Sequence, residues 1–172
     1  MMGARCAAGN PSGGTARRPA RTVATIDGVC HPVPDVLAYL EGRWRVARTV
    51  RDLGSGETGT FEGSCEFRRE RPDGALLHTE EGQFTWGGVT RPAHRGHRFE
   101  PVGDGTSEVR FPDGRPFHHL DLRTGRWQAH HPCAADAYRA EFTVTGADRW
   151  QVVWKVTGPR KDLLMITIHD RL

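Results

Sequence analysis

Residues Ala137–Leu172 read AYRAEFTVTGADRWQVVWKVTGPRKDLLMITIHDRL, three runs rich in aromatic and β-branched residues that meet at the clusters TGAD and GPRK. Runs of about ten such residues, bounded by Gly, Asp and Pro, read as β-strands joined by tight turns. Connections this short leave no room for a helical crossover, so the strands are antiparallel.

The same punctuation continues upstream. RWRVARTVRD, TFEGSCEFRR, ALLHTEEGQFTW, a less regular piece near HRGHRFEPV, TSEVRFP, PFHHLDLR and RWQAHHPC are divided by DLGSGE, RPDG, GDG, PDG and TG. One short helix precedes them, PDVLAYLEG, with Val36, Leu37 and Leu40 at helical spacing and Gly42 as its stop. About ten short strands after one helix predict an all-β, up-and-down antiparallel barrel. A barrel that wide tends to enclose a cavity. Strand parity turns Trp44, Val46, Phe61, Phe67, Leu120, Trp154 and Met165 inward together with Arg48, His118 and His131. A solid sandwich core would not hold such polar groups without partners.

The chain of 172 residues is read as one folded domain, 34–172, behind a disordered tail, 1–33, whose Gly, Ala, Arg and Pro show no apolar periodicity. Of the 24 basic residues only Lys155 and Lys161 are lysine, and the arginines are scattered among acids, which argues against a nucleic-acid face. The first thirty residues lack the apolar centre of a secretory signal, and no apolar run is long enough to span a membrane, so a cytoplasmic protein is expected. Cys6, Cys30, Cys65 and Cys133 are far apart and read as reduced thiols.

PFHHLDLRTGRWQAHHPC, 116–133, carries four of the nine histidines. Thr124-Gly125 predicts a hairpin turn. Pairing outward sets Leu122 opposite Trp127, Leu120 opposite Ala129, His119 opposite His130 and His118 opposite His131. His118 and His131 then face inward, with Cys133 at the same parity, while His119 and His130 face outward.

The G-x-W at Gly42–Trp44, opening the first strand after a short helix, resembles the start of lipocalins and other calycins. In that group an Arg near the end of the last strand packs across the Trp, a place Arg171 would fill. The series YLEGRW, Gly59–Gly63 (G-x-F-x-G), Glu80–Gly82 (E-x-G), Phe111–His118 (F-x-D-G-R-P-F-H), His130–Tyr138 (HHPC-x-x-D-x-Y) and Trp154–Asp162 is similar to a family catalogued as a domain of unknown function, number six-three-one-four. The resemblance covers Tyr39–Leu172 and implies a calycin-like barrel without an established activity. Its F-H-x-L and H-P-C segments single out His118, His131 and Cys133. HRGHRFEP departs from the more aromatic strand expected there.

Three chemistries suit these residues. In the first, Arg48, Arg115, His118, His131, Cys133 and Tyr138 place polar groups in an apolar pocket for a small organic ligand with a carbonyl or acid group. In the second, His118 or His131, with Glu80 and Asp136 nearby, supplies acid/base catalysis to a cofactor-independent isomerase, cyclase or lyase. In the third, His118, His131 and Cys133 hold a metal, or one of His118, His131 and His169 ligates haem. Glu80 points inward with Cys65 and His78 if Phe61 pairs with Phe84 and Gly63 with Gly82; a one-residue slip sends Glu81 in instead. Asp113-Gly114 reads as a turn, and no nucleotide-binding motif or nucleophile elbow is present, so the cofactor and the oligomeric state stay open.

Overall fold

The computed structural model describes residues 30–70 and 74–172. The helix α1 (Val36–Leu40) is followed by ten antiparallel strands. They are β1 (Gly42–Asp52), β2 (Thr58–Arg69), β3 (Leu76–Trp86), β4 (Val89–Gly103), β5 (Thr106–Arg110), β6 (Pro116–Leu120), β7 (Arg126–Cys133), β8 (Asp136–Gly146), β9 (Arg149–Gly158) and β10 (Lys161–Arg171). The sheet order β6-β5-β4-β3-β2-β1-β10-β9-β8-β7 makes an up-and-down, nearly closed barrel, as the turn spacing predicts. The irregular fourth strand is a full strand of 15 residues. No helix among the described residues is long and apolar enough to cross a membrane.

The expected hairpin at Thr124-Gly125 is not a ladder. β6 and β7 are instead the two edges of the sheet, and the barrel's seam runs between them. The connection explains why. Leu122 turns into the core, and its carbonyl accepts from Gly125 N at 2.8 Å and from Val33 N at 3.0 Å, which diverts the backbone before the strands can pair. Side chains bridge the seam: Trp127 Nε1 donates to His119 O at 2.8 Å, and the two rings meet edge to face. The expected tail lies outside the described residues up to residue 29, and its last four positions lie against the barrel. His31 N donates to Val144 O, and Val33 is buried.

The lower end is plugged. Asp35 caps α1 by accepting from Ala38 N at 3.0 Å, and Val36, Leu37 and Leu40 pack beneath Trp44, whose Nε1 donates to Leu40 O at 2.8 Å. Arg171 lies over the Trp44 ring, 4.0 Å from guanidinium carbon to centroid, and donates to the backbone oxygens of Glu41 and Tyr39. Cation–π contact and carbonyl bonding together seal this end.

The β2–β3 register places Gly63 opposite Gly82 and Phe61 opposite Phe84, so Cys65, His78 and Glu80 face the interior. A Cβ on Gly63 would lie 2.1 Å from Glu81 O and 2.7 Å from Gly82 Cα, and backbone cannot retreat as a flexible side chain can. Gly63→Ala is therefore expected to lower stability by about 2–3 kcal/mol and melting temperature by about 5–10 °C. A variant melting within a degree of the parent would show that these strands tolerate the extra carbon.

Candidate functional site

At the end opposite the Trp44 plug, where β5 and β6 stop short, a cavity of about 610 Å³ opens. Phe111, Arg115, Phe117, His131, Cys133 and Tyr138 are among its lining, so β6, the loop before it and the β7–β8 corner build it together. Its wall is mostly apolar with a few polar groups, the composition of an organic-ligand pocket. Arg115 is held at the rim by Asp113, whose Oδ2 accepts from Arg115 Nε at 2.8 Å, and it lies over the Phe111 ring.

Phe117 is the floor. Val109 pairs with His118 and Arg110 with Pro116, leaving Phe117 as the unpaired residue of a bulge. Bulges re-aim side chains, and this one sends both Phe117 and His118 to the interior although they are adjacent. The Phe117 ring stacks with Trp154 (centroids 5.2 Å) and with His97 (5.5 Å), and meets His131 and His118 edge to face.

Beyond Phe117 lies a chamber of about 60 Å³ lined by aromatic rings and by His78, Arg95, His97, His118, Trp150 and His169. Beside it is an ionic network. Glu80, 2 % exposed, accepts from Arg48 Nη1 and Nη2 at 2.8 and 2.7 Å, and from Arg95 Nη2 at 3.0 Å with Arg95 Nε at 2.9 Å. Arg48 Nε also donates to Thr167 Oγ1 at 2.8 Å. Burial alone would raise the Glu80 carboxyl, but the two guanidiniums outweigh it and hold the group below the usual carboxylate range.

Burial lowers the imidazoles. His78 falls to about 3, with Arg95 and His97 adding to the effect, and His97 falls to about 4, with Arg95 and His118 adding. His118 falls to about 4 by burial, partly opposed by its bond to a backbone oxygen, and fully buried His169 drops well below the ordinary value. All four are neutral at pH 7. His118 Nδ1 lies 2.9 Å from His119 O, which can only accept, so its proton sits on Nδ1 and Nε2 keeps its lone pair. Burial pushes the Cys65 thiol up to about 12, which leaves it inert.

The residues singled out from sequence divide three ways. Arg115, His131, Cys133 and Tyr138 meet at the mouth. His118 lies in the inner chamber, and Arg48 and Glu80 form the adjoining network. Asp136 is engaged elsewhere, accepting from Lys161 Nζ at 2.6 Å on the neighbouring corner. Among the described residues no group of three or more His, Cys, Asp and Glu side chains is spaced to hold a metal ion. Sequence reasoning missed Arg95 and His97. Their signal was the alternation Arg95, His97, Phe99 in the strand read as irregular, which places all three on one face.

A family of unknown function, DUF6314, matches residues 40–171. No curated protein matches the chain. Among solved structures, the S-type phycobiliprotein lyase CPES from Guillardia theta superposes with a TM-score of 0.59 at 9% identity, covering 79% of this chain and 90% of that one. A protein of unknown function of the DUF3598 family from Nostoc punctiforme gives 0.49 at 10% identity, over 84% and 51%. A de novo designed fluorescence-activating β-barrel gives 0.46 at 15% identity, over 81% and 100%. At these identities the likeness is one of fold.

Proposed function

We propose that this chain, which belongs to DUF6314, a family of unknown function, is a small-molecule-binding barrel of calycin type. Its ligand is a compact, largely apolar organic compound with a carbonyl or acid group. The observation that carries this reading is the mouth cavity of about 610 Å³, whose size and mixed lining suit one such molecule. Arg115, His131, Tyr138 and Cys133 are its polar contacts, and Phe111 and Phe117 its apolar walls. The Trp44–Arg171 packing supports the calycin assignment. Acid/base catalysis by His118 is less well supported, because a general base works best with a pKa near the working pH and burial holds this one at about 4.

A thermal-shift screen of aromatic and aliphatic acids, ketones and esters tests the reading. A compound at a hundred times its dissociation constant adds about 2.7 kcal/mol, which is expected to raise the melting temperature by about 5–10 °C. Failure of every class to shift the transition, with a crystal structure showing side chains filling the mouth, would sink the proposal.

A further inference from the structure

The geometry points to the chamber beneath Phe117 as an anion-recognising subsite, which takes the carboxylate of an organic acid whose apolar body rests in the mouth cavity. This rests on the binding reading above and adds what that reading lacks, the class of head group and the residues that select it.

Three buried nitrogens of residues lining this chamber have no hydrogen-bond partner among the described residues: Trp150 Nε1, His78 Nδ1 and His169 Nδ1. Their residues are 6 %, 5 % and 2 % exposed. Leaving a buried polar atom unpaired is costly, and three of them on residues that line one small space mark a place suited to a polar group; a neutral imidazole nitrogen can donate or accept according to its tautomer. Trp150 Nε1–H can only donate, so what meets it must accept. Its ring lies flat on His169, with centroids 3.6 Å apart at 1°, which holds the indole in place.

Arg95 decides the charge. Its contact with Glu80 uses Nε and Nη2 and leaves Nη1 outside that pair, and 42 % of its side chain stays accessible although it lines the chamber. Arg48 and Arg95 carry two positive charges against the single negative charge of Glu80, and the surrounding imidazoles are neutral, so the network, with Arg95 at its solvent-reaching side, has one positive charge in excess. A carboxylate offers this set two acceptor oxygens and one negative charge, whereas an alcohol offers one acceptor oxygen without charge and a protonated amine offers neither. At about 60 Å³ the chamber holds a carboxylate or about two waters, and no apolar body. Phe117 lines both spaces, so the head group passes its ring while the rest of the ligand stays above it.

Calorimetric titration with 1-naphthylacetate and with 2-(1-naphthyl)ethanol, probes of one shape that differ in head group, tests this. The acid is expected to bind the parent at least tenfold tighter than the alcohol. Arg95→Met should bring that ratio close to one, and Arg95→Lys should retain part of it. Glu80 keeps its bidentate Arg48 partner in both variants, so the barrel stays folded, which circular dichroism checks. Equal binding of the two probes, or a ratio that survives Arg95→Met, would overturn the subsite while leaving the mouth cavity as a binding site. If neither probe binds and the thermal-shift screen is also silent, both readings fall together.

Discussion

Glu80→Gln is expected to destabilise the barrel by about 3–5 kcal/mol, a fall of about 10–15 °C in melting temperature. The substitution keeps the shape of the side chain and removes its charge. What it leaves behind decides the size of the effect. The Arg48 side chain is 10 % exposed, and its bidentate bond to Glu80 supplies its only anion among the described residues. Taking one partner from a buried ion pair strands the other in low dielectric, and that penalty exceeds what the pair contributed while intact. Arg95 adds less, because its side chain reaches solvent. The triple variant Arg48→Met, Glu80→Leu, Arg95→Met is expected to recover most of the loss, since apolar groups of similar volume often replace a buried ion network without cost. Thermal and urea unfolding followed by circular dichroism measure both. A Glu80→Gln protein melting within 3 °C of the parent would show that the interior is wet enough to solvate Arg48.

If the triple variant is stable, the network is not retained for stability. Its remaining consequence is electrostatic: Glu80 offsets one of two positive charges and fixes the orientation of both guanidiniums, with Arg95 Nη1 outside its pair with Glu80 and Arg95 in the chamber's lining. A single unpaired arginine at this depth would bear the whole desolvation penalty, and a neutral interior would not discriminate an acid from an alcohol.

How far these features were legible follows from the range over which each is determined. Strand count and order are local properties, written in turn residues such as TGAD and GPRK. The inward placement of Glu80 was legible only conditionally: the sequence made it depend on Gly63 pairing with Gly82, with Glu81 inward on a one-residue slip, and the close approach of the two glycines in the folded sheet fixes the register. The seam was not. Thr124-Gly125 carries a sound hairpin signal, yet Leu122 is claimed by the core and its carbonyl by Val33, partners that a local reading of the turn does not see. The bulge at Phe117 escaped for a similar reason: alternation assigns Phe117 and His118 to opposite faces, and only the loss of one ladder position brings both inside. Arg95 and His97 were hidden by composition, since a strand rich in Arg, His and Gly looks like a loop until its neighbour's register places it.

Between pH 7 and pH 5 the protein is expected to lose about 6 kcal/mol of stability. The cause is buried histidine. In the unfolded chain each imidazole takes up a proton near pH 6.5. In the barrel His78 does so only near 3, His118 near 4, and His169 well below its ordinary value, because burial penalises the charged ring. Over that window the unfolded state binds more protons than the folded one, so stability rises with pH and falls as acid is added. Each of the three most enclosed rings contributes about 2 kcal/mol over those two pH units, and more accessible His97 adds to the same trend. The slope near pH 5.5 should approach about 4 kcal/mol per pH unit, the value for three protons. Glu80 acts at a different pH. Its folded pKa is depressed, so its contribution is intact above its unfolded value, near 4.5, and is lost only as pH falls through the lower folded one. A loss beginning at pH 6.5 therefore reports imidazole, and one beginning below pH 4.5 reports carboxylate. Urea unfolding at pH 7, 6, 5.5, 5 and 4 separates them. Since a typical domain has about 5–15 kcal/mol in total, a loss of this size is a large fraction of the whole. Equal stability at pH 7 and 5 would mean that the interior admits enough water to charge its histidines without opening.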